Sequence, residues 1–187
     1  MLAYKGVSAD GTNRLGSGKI LYEVGRTYRT EKSKTVASGF HCCENPFECL
    51  GYYTLGKDRF FEVEASGSID EDKEERIACT EMKILRELTV PDFMLIGIAY
   101  MVKHPKRENW EQKHSNMTVA KDKAEGSLIA IARGSSPMAA AGMGGYIGLI
   151  QEKEQDGIVC VRMKKVDGRG ILPGTFYTLK SGKVVPA

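Results

Sequence analysis

The run Gly39-Phe40-His41-Cys42-Cys43-Glu44-Asn45-Pro46-Phe47-Glu48-Cys49-Leu50-Gly51-Tyr52-Tyr53 constrains this chain more than any other stretch. It reads as one strand-turn-helix unit. Phe40 to Cys43 has the composition of a short buried strand. Asn45 then precedes Pro46, the pairing expected at a helix start. Asn is a strong N-cap, and proline suits the first helical position because the N–H it lacks would be unpaired there. Glu48 stands three residues after Asn45, where it can bond back to the cap as in a capping box. The helix should carry Tyr52 and Tyr53 toward the strand that follows.

That strand is Arg59-Phe60-Phe61-Glu62-Val63-Glu64-Ala65, whose β-type residues partly alternate. Before the unit, residues 2–7 read as a first strand and Ser8 to Gly18 as a polar loop. Lys19 to Thr30 reads as one or two short strands. After it, Asp70 to Arg76 is a charged turn. Apolar residues at 77, 79, 82, 84, 85 and 88 mix period 2 with period 3.6, so a strand is expected over Cys79 to Leu85. Pro91 and Asp92 open an apolar helix that runs to Lys103 and ends at His104-Pro105. From Ala124 the glycine- and alanine-rich composition suggests stacked turns, as in one or two solenoid coils. Asp156-Gly157 marks a hairpin. Together these give an α+β fold: an N-terminal mixed α/β domain with an apolar helix (1–104), a polar basic arm (105–123) and a small all-β region, solenoid-like or hairpin (124–187).

The 187 residues, 42% of them hydrophobic and 27% charged, describe an ordinary globular chain. A net charge of +3 is too small to imply nucleic-acid binding by itself. The longest apolar run, Phe93 to Val102, is about half of the roughly 20 residues that span a bilayer, so no membrane partner is expected. Met-Leu-Ala-Tyr-Lys-Gly turns polar at once, so no secretory leader is expected. Five cysteines without regular spacing suit a reduced compartment.

The order Tyr4-Lys5-Gly6, Gly39-Phe40-His41, Cys43-Glu44-Asn45-Pro46, Tyr52-Tyr53 and Phe61-Glu62-Val63-Glu64 resembles a family of small phage and prophage proteins. So does the ending, with Val166-Asp167-Gly168, Pro173, Thr175, Tyr177 and Gly182-Lys183. The resemblance implies a protein acting in the cytoplasm of an infected bacterium. Its partner would be a host protein or a protein–nucleic-acid complex, for example a CRISPR effector. In outline the first half is also similar to ADP-ribosyltransferases. There Tyr4 or Lys5, His41, Tyr52 or Tyr53, and Glu81 or Glu87 would face the dinucleotide. The first strand lacks that superfamily's usual Arg or His, and no Ser-Thr-Ser follows.

His41, Cys42, Cys43 and Cys49 suggest zinc, but adjacent strand residues point to opposite faces and there is no C-x-x-C pair, so no metal is expected. His41 and Cys43 share a face at a spacing too long for a nucleophile–base bond. No catalytic residue and no cofactor are therefore assigned. Tyr4, Lys5, His41, Tyr52, Tyr53 and Glu81 are the candidate wall of a ligand pocket. Lys103, Lys106, Arg107, Lys113, Lys121 and Lys123 around Trp110 are the candidate contact for a protein or nucleic acid. The function expected is inhibition or sequestration of a host factor, in the manner of an anti-CRISPR protein, without catalysis. The alternatives are an ADP-ribosyltransferase-like enzyme or nucleotide-binding relic, and a structural protein forming homo-oligomers through its C-terminal β region.

Overall fold

The computed structural model describes residues 1–14, 18–34, 37–71, 76–106, 109–154 and 157–187. It divides into two compact units, Met1–Gly97 and Ile98–Ala187. The described residues hold twelve strands, one α-helix and one 3-10 helix.

The first unit corrects the expected mixed α/β domain, because it is a small β-barrel. Its strands are β1 (Leu2–Val7), β2 (Thr27–Arg29), β3 (Phe40–Cys43), β4 (Arg59–Glu71) and β5 (Arg76–Glu87). The order is β2-β5-β3-β1-β4, and a further β4–β5 pairing closes the sheet. Two segments moved from the expectation. The capped helix is only a 3-10 turn, Pro46–Gly51, although Asn45 Oδ1 does accept the Phe47 N–H at 3.1 Å. The charged stretch after Ala65 lengthens β4 and β5 into a long antiparallel pair. Its polar side chains face water, which an antiparallel sheet permits on one side. Residues 72–75 of the expected Asp70–Arg76 turn lie outside the described residues.

The mixed periodicity of 77–88 has a physical cause. Ile77, Cys79, Met82 and Ile84 all belong to the barrel core. The inward parity slips between Cys79 and Met82, opposite a register shift in β4 between Ser66 and Ile69. There Gly67 has φ +76°, and the Ser68 N–H is taken by Thr80 Oγ1 at 2.8 Å. A β-bulge of this kind resets alternation by one residue. Phe61, Val63 and Ala65 of β4 face the same core, while Phe60 turns to Phe93, with ring centres 4.8 Å apart. Phe93 belongs to α1 (Val90–Lys103), which starts on a Thr89–Asp92 capping pair, and the boundary between the units falls inside this helix. Gly97 is required where it stands: a Cβ there would lie 2.1 Å from Phe47 Cζ.

The second unit contains β6 (Gln112–Lys113), β7 (Met117–Gly126), β8 (Ile129–Ala141), β9 (Tyr146–Lys153), β10 (Gly157–Lys165), β11 (Tyr177–Lys180) and β12 (Lys183–Pro186). The stretch expected as an arm, 105–123, thus holds β6 and most of β7. β7, β8 and β9 run parallel, in the registers Met117↔Ile129 and Ile129↔Tyr146. Parallel neighbours normally need a crossover of a dozen residues. Here only Ser127 and Leu128 separate β7 from β8. The chain manages this by a bend within β7 at Asp122 (φ +59°), where the register with β8 jumps from Lys121↔Arg133 to Lys123↔Met138, so that one coil stacks on the next. Close stacking demands small side chains. Ala124, Ala130, Ala132, Ala139 and Ala141 form the core with Ile147 and Leu149. β9 and β10 form a hairpin paired from Lys153↔Gly157 onward, and Asp156 of the expected turn lies outside the described residues.

Candidate functional site

The first unit holds a cavity of about 530 Å³. It opens where β1 and β3 part. These strands share a single pair, Tyr4↔Cys43, beyond which Lys5 and Gly6 have no ladder partner on β3. Lys5 bridges the gap with its side chain: Nζ donates to the His41 carbonyl at 2.8 Å.

Tyr4, Lys5, His41, Tyr52 and Tyr53 all line this cavity. Glu81 does not. It sits on β5 beside β2, with Arg29 Nε and Nη2 donating to it at 2.8 and 3.1 Å. Glu87 is engaged in the same way by Arg59, at 2.8 and 2.6 Å. Residues not assigned from sequence complete the wall, notably Asn13, Tyr22, Arg29, Phe40 and Arg76. Tyr22 and Arg76 could not have been found by local pattern, since each reaches the cavity through strand pairing or a long loop.

The wall is held from outside. Tyr53 packs over Gly6, where a Cβ would lie 2.4 Å from its Cδ2. The Tyr53 hydroxyl accepts the Arg14 N–H at 3.1 Å, and the Arg14 guanidinium lies 5.2 Å from the Tyr53 ring centre. Arg14 also donates to the Tyr52 carbonyl at 3.1 Å and to both oxygens of Asp58 at 2.9 Å. Asp58 in turn accepts the Thr54 N–H at 2.8 Å. One ion pair therefore fixes both tyrosines.

The electrostatics are cationic and aromatic. Among the described lining residues the guanidiniums of Arg29 and Arg76 carry the charge, Arg29 being paired with Glu81, and no carboxylate lines the cavity itself. Burial lowers the Lys5 pKa, opposed by the surrounding thiols. Burial, then the charge on Lys5, lowers the His41 pKa, so its neutral form is favoured. Burial raises the hydroxyls of Tyr4 and Tyr53 above the ordinary tyrosine range. The thiols form two pairs, and Cys42, Cys43 and Cys49 are part of the cavity wall rather than behind it. Cys42 is raised by its hydrogen bond to Cys79, and Cys49 by its hydrogen bond to Cys43, burial adding in both cases. Cys42 and Cys49 are thereby held protonated, whereas the hydrogen bond with Cys42 lowers the Cys79 pKa. Among the described residues, no group of three or more His, Cys, Asp or Glu is placed to hold a metal ion.

The basic residues of 103–123 are arranged differently from the expected contact surface. Arg107 lies outside the described residues. The Arg133 guanidinium stands 4.9 Å from the Trp110 ring centre, so that side of the indole is already taken. Lys123 lies 4.3 Å over Phe176. Lys103 ends α1, Lys106 follows it, Lys113 is on β6 and Lys121 on β7. No helix among the described residues is long and apolar enough to cross a membrane.

Residues 1–96 match the family model of a domain of unknown function, DUF7666, and the chain belongs to that family. No curated protein and no solved structure matches it. The match covers the barrel unit, where the cavity lies, and brings no reaction with it.

Proposed function

We propose that this protein works by binding, and that its barrel unit holds a small, flat, anionic molecule of the nucleotide class. The cavity carries this reading: tyrosines and a phenylalanine supply ring faces, and the Arg76 guanidinium supplies positive charge at a wall that no carboxylate lines. Ligand pockets commonly enclose about 300–1,000 Å³ behind mostly apolar walls with a few polar groups, and 530 Å³ suits a mononucleotide. Tyr52 and Tyr53 would stack on the base. Arg76 and His41, at the same wall, would meet the phosphate by charge-assisted hydrogen bonds.

Occupancy without chemistry is also how the protein would act as a phage accessory factor in an infected host cell. It would sequester a nucleotide-class molecule that a host defence system needs. Glycosyl transfer is not part of the proposal, because neither Glu81 nor Glu87 lines the cavity and each is held in a two-bond pair, by Arg29 and Arg59.

The test is isothermal calorimetry and thermal unfolding with AMP, GMP, NAD and inorganic phosphate. A ligand held at one hundred times its Kd stabilises by about 2.7 kcal/mol. One or more nucleotides should bind with a Kd on the order of micromolar, and Tyr53→Ala should weaken binding at least tenfold. Absence of any heat or shift at millimolar nucleotide would refute the reading.

A further inference from the structure

Lys5 occupies a position where a barrel strand expects an apolar side chain. On β1 it shares a face with Ala3 and Val7, both fully buried, since alternate strand residues point the same way. An ammonium carries three donors. Nζ of Lys5 meets one acceptor oxygen, the His41 carbonyl, and lies 4.6 Å from the Tyr22 ring centre. The titratable groups that face it otherwise are the His41 imidazole and four thiols: Cys42 and Cys43 from β3, Cys49 from the 3-10 helix and Cys79 from β5. Among the described residues no carboxylate pairs with it.

A buried ammonium without a counter-ion is costly, and the usual relief is loss of the proton. Burial lowers the pKa of this amine accordingly. The same side chain lines the cavity. A neutral amine at a desolvated wall is the arrangement in which lysine becomes a nucleophile toward carbonyl carbon.

We infer that Lys5 is a carbonyl-condensing amine and that the ligands of this cavity include flat anionic aldehydes, which it holds as an imine. The inference rests on the cavity reading above. The Nζ lone pair forms the C–N bond while the carbonyl π pair moves to oxygen. That oxygen takes up the proton nitrogen gives up, which yields a carbinolamine. Its hydroxyl then leaves with the second N–H proton as water, and C=N forms. Aldehyde plus amine gives imine plus water, so no oxidant or reductant is required.

The test uses the full chain with pyridoxal 5′-phosphate at pH 6.5, trapping by cyanoborohydride, and peptide mapping by mass spectrometry. An ordinary lysine, with pKa about 10.4, is neutral in roughly one molecule in ten thousand at that pH. Trapping should therefore place one pyridoxyl group on Lys5 at least tenfold faster than on any other lysine. Lys5→Met should abolish it. If that variant fails to fold, pyridoxine 5′-phosphate, which has no aldehyde, should protect Lys5 of the unaltered protein from trapping. Calorimetry with pyridoxine 5′-phosphate separates the two claims. Binding of this alcohol with label scattered over exposed lysines overturns the amine inference and leaves the cavity reading standing. Absence of both binding and Lys5 labelling overturns both.

Discussion

Removing Arg14 should loosen the cavity wall by an amount that follows from one ion pair. The Asp58 side chain is 1% exposed, and its two oxygens accept from the Arg14 guanidinium and the Thr54 N–H. Breaking a buried pair by deleting one partner costs about 3–5 kcal/mol, because the other charge is left dry. Arg14 is itself 44% exposed, so water can partly replace it. Arg14→Ala should therefore fall at the low end, about 3 kcal/mol. Asp58→Asn keeps an acceptor for Thr54 but loses the charge, at about 1.5 kcal/mol, in line with a charge-assisted hydrogen bond. The double variant should cost about 3 kcal/mol, not the sum, which gives a coupling of about 1.5 kcal/mol. Urea unfolding followed by far-UV circular dichroism, with unchanged m-values, measures all three. If the two substitutions are additive within about 0.5 kcal/mol, Arg14 does not act through Asp58 and the account of the wall is wrong.

Other expectations follow from the same geometry. Gly6→Ala must displace the Tyr53 ring, and should cut nucleotide affinity about tenfold, or about 1.4 kcal/mol, in calorimetry. His41 has its folded-state pKa below the unfolded value. Its contribution to stability is thus complete above pH about 6.5 and is lost as pH falls through the folded pKa. His41→Gln should flatten the stability profile below pH about 6.5, read by thermal unfolding. In the second unit, a Cβ on Gly126 would lie 2.2 Å from the Ile129 carbonyl oxygen. Gly126→Ala should destabilise by about 3 kcal/mol, the upper part of the overpacking range, while Gly144→Ala, with open space around its Cβ position, should lose only the cost of a positive φ.

The sequence spoke most clearly where the signal was local. Asn45-Pro46 does cap a helical turn, and Ala3, Lys5 and Val7 alternate as a strand should. It misled where a long-range partner decides. The charged residues after Ala65 resemble a loop until β4 and β5 are seen to pair along their length. The mixed spacing of 77–88 allowed a strand only over Cys79 to Leu85, while β5 runs from Arg76 to Glu87 and the bulge at Gly67 accounts for the mixture. Of the candidate site, the residues on or beside Gly39–Tyr53 were legible because they sit close together in the chain. Tyr22, Arg76 and the Arg14–Asp58 clamp were not, since only closure of the barrel brings them to the same wall. Glu81 is not at that wall itself: its strand neighbour Arg29, which is, holds it in an ion pair.

The parallel register of β7, β8 and β9 has a further consequence. Each coil presents to the next the same backbone edge it receives from the one before. Interactions are then nearest-neighbour in kind, and the stack behaves as a one-dimensional array. A whole coil could be inserted between β7 and β8 or between β8 and β9 without disturbing the hairpin of β9 and β10. Every insertion would lengthen the stack by one strand spacing, about 4.8 Å. This half of the chain is thus a structure whose length can vary in integer steps, whereas the closed barrel, with every strand already committed, admits no such increment.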